Sequence, residues 1–176
     1  LDDGPVLAQT EVAILPGDDA DSLASRILIA EHQLYPRGLA RYVTREADPD
    51  WILAQVRKRA LALEETHERA SFGAPGWRVG SETTGKYFAY FAQSHHGEAS
   101  IALLVKTTGI DEQTALIDAD PDLYYAPKFY GKSGWIAIRL DQGRTDWDHI
   151  GEWLYKSWCQ VAPKRLTRLI EIADQF

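Results

Sequence analysis

The chain has no methionine and a single cysteine in 176 residues. The lone thiol, Cys159, excludes an internal disulfide framework and fits a reducing compartment, so the expected location is the cytoplasm. No apolar run approaches the ~18 residues of a membrane-crossing helix, and no signal-peptide pattern opens the chain, so no membrane partner is expected. Positive charge is in deficit as well. Nineteen basic against 26 acidic residues give a net charge of −7, which draws the protein in bulk toward neither nucleic acid nor membrane. Glycine-rich phosphate loops of the G-x-x-x-x-G-K or G-x-G-x-x-G kind are missing too. With Leu1 first and no methionine anywhere, the chain reads as the C-terminal part of a longer product.

What is present suffices for a packed core. Hydrophobic residues make up 45% and aromatics 11%, far from disordered composition, and the length suits one ordinary domain or a small one with an appendage. "GPVLAQTEVAILPGDD" (4–19) reads as two short extended pieces closed by a Pro16-Gly17 turn. Asp18, Asp19 and Asp21 then gather where a helix N-terminus favours negative charge. On a helical wheel Leu23, Ile27, Ala30 and Leu34 share an arc that also holds Glu31, while His32 points away and reads as a surface histidine. Pro36 disturbs this helix. A carboxylate buried unpaired in an apolar arc is costly, which predicts a partner or a cleft beside Glu31.

A second beginning follows. In "READPDWILAQVRKRALAL" (45–63) Asp48 can cap, and Pro49 sits where a first helical turn has no use for an N–H. Ile52, Leu53, Val56, Ala60 and Leu63 form its apolar stripe, with "RKR" (57–59) as a solvated face. Strands are expected at "KYFAYFA" (86–92), "ASIALLVK" (99–106) and "GWIAIRLD" (134–141), with a short helix at 111–119 among them. A helix from Thr145, with Asp148 three residues on as a near capping box, carries Trp147, Ile150, Leu154, Trp158 and Val161. Pro163 ends it and opens a last helix with Leu166, Leu169 and Ile170. This order implies an α+β fold: an antiparallel sheet flanked by helices, preceded by a strand-turn-helix segment. Cys159, on a core-supplying helix, reads as buried and inert. His95, His96 and Glu98 fall in a loop, and adjacent histidines do not readily face one ion, so no metal site is expected.

Residues 1–43, "LDDGPVLAQTEVAILPGDDADSLASRILIAEHQLYPRGL" and the four that follow, resemble the C-terminal end of the phosphoribosylglycinamide formyltransferases of purine biosynthesis. The matching features are Asp-x-Gly-Pro (Asp2, Gly4, Pro5), Gln9, Pro16-Gly17-Asp18, and Glu31-His32 with Tyr35-Pro36. The resemblance implies that Asp2 holds the place of the aspartate that orients and charges a catalytic histidine. It gives Glu31 the place of the glutamate that contacts the glycinamide end of the substrate. The family's asparagine, histidine and phosphate-cradling loop have no counterpart in this chain. Formyl transfer needs a general base and donors for a tetrahedral oxyanion. The chain alone is therefore expected to be non-catalytic and to bind no cofactor. 10-Formyltetrahydrofolate enters as cosubstrate only if a longer polypeptide supplies the other half-site.

From about residue 46 onward the chain resembles the MmcQ/YjbR family, whose fold is similar to the CyaY arrangement. The carrying stretches are "SFGAPGWRVGSETTGKYFAYF" (71–91), "DPDLYYAPKFYGKSGWIAIRLD" (120–141) and "VAPKRL" (161–166). Members are often labelled DNA-binding, so the resemblance implies a nucleic-acid partner. The residues offered for it are Lys128, Lys132, Arg139 and Arg144, interleaved with Tyr125, Phe129, Tyr130 and Trp135, since cations beside aromatic platforms suit single strands. Lys164, Arg165 and Arg168 are further candidates. Against this stand 19 acidic and 15 basic residues over 46–176, and the same groups also fit a solvated rim over a plain core.

The expected organisation is thus a formyltransferase-like segment (1–43), a linker (44–48) and an MmcQ/YjbR-like domain (49–176), acting as a non-catalytic binding module. The alternative is a piece of a formyltransferase. The segment Val6–Leu15 is expected to add to a sheet edge, to pair with another copy of the chain in self-association, or to be loosely held.

Overall fold

The computed structural model describes residues 8–71, 73–93, 100–143 and 145–173. The chain divides into two compact units, Leu1–Asp48 and Pro49–Phe176.

The first unit is a turn and a long helix, α1 (Ala20–Thr44). Asp18 organises the turn: its carboxylate accepts the Leu15 N–H at 2.7 Å and both terminal nitrogens of Arg26, at 2.8 and 2.5 Å. Arg26 also donates to the Ala13 carbonyl at 2.6 Å. Asp19 and Ser22 form a reciprocal box, Ser22 N–H to the Asp19 carboxylate at 2.8 Å and Asp19 N–H to the Ser22 hydroxyl at 2.9 Å. Side chains thus take backbone groups that a strand would pair, and residues 8–15 form no strand, which corrects the strand expected before the turn. Val6 and Leu7 lie outside the described residues. Pro36 sits inside α1 and does not end it. The residue is exposed, so water can serve the carbonyl its missing N–H leaves open. The expected linker is also structured, with α1 running to Thr44 and a 3₁₀ turn over Arg45–Ala47.

The second unit begins with α2 (Pro49–Ala60). Six strands follow: β1 (Thr66–Glu68), β2 (Gly76–Val79), β3 (Lys86–Gln93), β4 (Ile101–Lys106), β5 (Tyr124–Tyr125) and β6 (Trp135–Arg139). Helix α3 (Ile110–Ala119) lies between β4 and β5, and α4 (Trp147–Val161) and α5 (Lys164–Ala173) close the chain. The sheet is antiparallel in the order β1-β2-β3-β4-β6-β5. An α+β sheet flanked by helices is what the alternation of patterns implied.

Alternation on β4 and β6 separates the two faces. Leu103, Val105, Ile136 and Ile138 join the main core with Ile52 and Val56 of α2 and Ile150, Leu154 and Trp158 of α4. Ala102, Leu104, Trp135 and Ala137 form a second cluster, on the face the intervening side chains present. Helix α4 starts at Trp147, with Asp146 as its cap. The Asp146 carboxylate accepts the N–H groups of Asp148 and His149, replacing the expected Thr145–Asp148 box. The Thr145 hydroxyl donates instead to the Leu140 carbonyl. The expected solvated face "RKR" is corrected as well. Arg57 forms a two-pronged pair with Glu68 at 2.6 and 2.7 Å, and Arg59 donates to the Trp147 carbonyl at 2.9 Å with its guanidinium 4.9 Å from that ring. Only Lys58 of the three is exposed.

Candidate functional site

The second face of the sheet gathers most of the aromatic residues that the main core leaves out, and a β-bulge is what collects them. On β2–β3 Trp77 faces Ala89 while Arg78 faces Tyr87, so Phe88 is one residue extra. The insertion flips the alternation. Phe88 and Ala89 both enter the main core, and Tyr87 and Tyr90 fall on the opposite face. There they stack, with centroids 4.8 Å apart and planes 27° apart. Tyr90 continues onto Tyr130 (5.4 Å, 25°) and Trp135 (5.3 Å), which are themselves 5.7 Å apart.

Buried polar groups hold the far side of this array. Gln113 of α3, 6% exposed, donates its amide to the carbonyls of Gly131 and Trp135 at 2.8 and 2.6 Å. The turn between is a 3₁₀ turn over Gly131–Ser133, closed by Gly134 in the left-handed region (φ 74°). Tyr130 and Trp135 are therefore set at the two ends of a clamped turn.

Cations border the array. Arg139 lies over the Tyr125 ring at 4.6 Å, Lys106 Nζ is 5.9 Å from the Trp135 centroid, and Arg78 is 5.0 Å from that of Tyr87. Arg78 is committed structurally, because its guanidinium donates to the carbonyls of Gly85, Glu82 and Thr83. Lys128 and Lys132 are exposed, each one or two residues from a ring residue of the site. Beside the array is a cavity of about 450 Å³, lined by Tyr90, Phe129 and Tyr130, by Ala92 and Leu104, and by Ser71 and Ala74. Burial, with Tyr130 and Tyr87 adding, pushes the Tyr90 phenol up to about 12, so it stays protonated and uncharged at neutral pH.

A second constellation fastens β5 to α4. His149 Nε2 lies 2.6 Å from the Tyr124 hydroxyl and 3.0 Å from Trp153 Nε1. An indole N–H only donates, so Nε2 is the acceptor and the neutral ring carries its proton on Nδ1. Burial raises the Tyr124 phenol. The Cys159 thiol is half-buried and is likewise pushed up by burial, which suits an inert thiol. Among the described residues no three His, Cys, Asp or Glu side chains could hold a metal together. Among them, too, no helix is long and apolar enough to cross a membrane.

Of the residues read from the sequence, the structure brings Tyr130 and Trp135 into one array. It puts Arg139 on the same strand and face, with Lys128 and Lys132 exposed nearby in the chain. Arg144, Asp2 and the group His95, His96 and Glu98 lie outside the described residues. Glu31 stands exposed on α1, which corrects the expectation of a partner or cleft; Ile27 of the same arc is itself 39% exposed, so that arc does not enclose its carboxylate. His32 is exposed as expected. Sequence reading missed Tyr87, Tyr90 and Lys106. The only signal was the spacing of rings in "KYFAYFA", which no strand without a bulge can place on one face.

Comparison with known proteins yields three kinds of match. The family model described as YjbR matches residues 61–160. The crystal structure of a Deinococcus radiodurans protein with a domain of the family DUF419 superposes with a TM-score of 0.52 at 19% identity, covering 62% of this chain and 77% of that one. That likeness speaks to the fold. Two curated relatives are the trifunctional purine biosynthetic protein adenosine-3 of Drosophila melanogaster, 49% identical over 47 residues, and that of Drosophila pseudoobscura pseudoobscura, 50% identical over 40. These stretches are 27% and 23% of this chain, and they span 4% and 3% of the relatives' lengths.

Proposed function

Because the chain belongs to the YjbR family, we propose that its Pro49–Phe176 unit is a non-catalytic binding module that takes single-stranded nucleic acid across the aromatic face of the sheet. The observation that supports this most is the array of the half-buried rings Tyr87, Tyr90 and Tyr130, underlain by buried Trp135, with Lys106 and Arg139 at its border. Stacking on ring faces is tolerant of sequence and needs exposed bases, which a duplex does not offer. The acidic balance counts against a duplex, whose binders need a broad positive face, and leaves a single strand to be held by the few cations at the array's border. Affinity for single- and double-stranded DNA measured over several salt concentrations tests the reading. Single strands bind more tightly, and two phosphate contacts, at Lys106 and Arg139, give a log–log salt slope of about −1.4. No binding at low salt, or a flat response, removes it.

The short match to the purine biosynthetic proteins supports a second reading. The chain is then the C-terminal portion of a formyltransferase–YjbR fusion, and Asp2 and Glu31 act only within a longer polypeptide that supplies the histidine, the asparagine and the phosphate loop. The 176-residue chain by itself does not transfer the formyl group of 10-formyltetrahydrofolate to glycinamide ribonucleotide, whereas the longer polypeptide does and loses this activity on Asp2→Asn. Turnover by the short chain contradicts the reading.

A further inference from the structure

We propose that the cavity lined by Tyr90, Phe129 and Tyr130 is a receptor for one uncharged planar heteroaromatic ring, the base of a free nucleoside or of a residue splayed out of a strand. The inference rests on the aromatic face being the nucleic-acid surface and specifies what its cavity receives. Its volume, about 450 Å³, falls within the ~300–1,000 Å³ usual for small-molecule sites.

The shape of the walls selects a flat guest. Tyr90, Tyr130 and Phe129 put three flat rings in the lining; Tyr90 and Tyr130 stack on one another, 5.4 Å apart and 25° from parallel, so the ring that meets a guest is chiefly that of Phe129, 71% exposed. The space exists because the strand positions beneath it are small or recessed: Ala92 on β3 is a single methyl, and Leu104 lies across the ladder on β4. A larger side chain at 92 would fill it.

The chemistry of the lining selects an uncharged guest. Among the described residues no ionised side chain lines the cavity, and the Tyr90 phenol, pushed up to about 12 chiefly by burial, stays neutral. A charged ring would lose its water there and find no counter-charge. Hydroxyls at Ser71 and Tyr90 offer polar contacts to ring-edge heteroatoms. Outside the cavity the sign changes, because Lys128 adjoins Phe129 and Lys132 follows Tyr130 by two residues, both exposed. A neutral ring that carries an anionic tail matches this arrangement, and a hydrocarbon chain does not.

The test is calorimetric titration of the full chain with adenosine, with uridine and with a short oligothymidylate, repeated for Phe129→Ala and Ala74→Phe. Removing the exposed Phe129 ring is not expected to disturb the fold, so that variant carries the test even if Ala74→Phe misfolds. Both nucleosides should bind. Phe129→Ala should weaken them about tenfold, as expected for loss of one stacking partner, and Ala74→Phe should abolish binding by occupying the space. Nucleoside binding that neither variant alters overturns the cavity as receptor. Oligothymidylate binding without nucleoside binding, unaffected by Ala74→Phe, also overturns it but leaves the strand-binding reading intact. Nucleosides bound without the oligonucleotide support the receptor and overturn strand binding, and silence with all three ligands overturns both.

Discussion

Gly76 faces Tyr90 across the β2–β3 ladder, and a Cβ at that position would come within 2.8 Å of the tyrosine ring. The absent side chain is what lets Tyr90 lie flat toward Tyr130. Gly76→Ala is expected to destabilise the fold by about 1–3 kcal/mol, as overpacking does, and to weaken single-strand binding in the same variant; urea unfolding and a binding titration check both. Tyr90 also carries a pH signature. Its phenol ionises near 10 in the unfolded chain and only at about 12 in the fold. Its contribution is therefore fully present below pH 10 and is lost as pH rises toward 12, and the unfolding midpoint should fall across that window while phenolate absorbance shows a late-titrating tyrosine. A midpoint flat through the window would contradict the burial of this ring. Tyr130 and Trp135 could be read from the sequence because they sit in one short aromatic and basic stretch. Tyr87 and Tyr90 could not be assigned to the same face, because odd spacing in a strand separates two side chains unless a bulge intervenes, and nothing local marks one here.

Between elements, a single hydroxyl joins helix to sheet at the bulge. Ser157 of α4, fully buried, donates to the Phe88 carbonyl and accepts the Lys106 N–H at 2.8 Å. The bulge leaves the Phe88 backbone outside the ladder, and α4 supplies what the neighbouring strand does not. Ser157→Ala leaves both backbone groups unpaired at about 1–3 kcal/mol each, with faster hydrogen exchange at Lys106; unchanged stability and exchange would mean that water or a shift of α4 replaces the bond. The longer elements β3, β4, β6, α3 and α4 were legible because each spans enough residues for a period to show. Strands β1, β2 and β5 have three, four and two residues, too few to show alternation. Their existence depends on partners distant in sequence. The turn before α1 misled for the opposite reason: apolar residues at 12–15 look strand-like, yet Asp18 and Arg26 claim the backbone around them.

At the scale of the whole molecule, fully buried hydrophobic residues begin at Ile52, and none of those described lies in the Leu1–Asp48 unit. The Pro49–Phe176 unit thus holds the core, and the chain lacking residues 1–48 is expected to melt at the same temperature as the full chain. A drop greater than about 5 °C, on the order of 1 kcal/mol for a domain of this size, would show that the first unit supports the second. The α+β class was readable from helices following a series of strands. The role of the aromatic face was not readable, because the residues that build it come from four separate stretches and become neighbours only in the folded sheet.

The face itself can be watched through its methyl groups. Ala92, Ala102 and Ala137 lie beneath the aromatic array, while Ile136 and Ile138, on the same strand as Ala137, belong to the opposite core. Methyl NMR spectra of the full chain recorded during addition of a single-stranded oligonucleotide separate the two sides directly. The account predicts ring-current shifts at the three alanines with the two isoleucines unmoved. Shifts confined to α4, α5 or the first unit, or no shifts at saturating oligonucleotide, would contradict it.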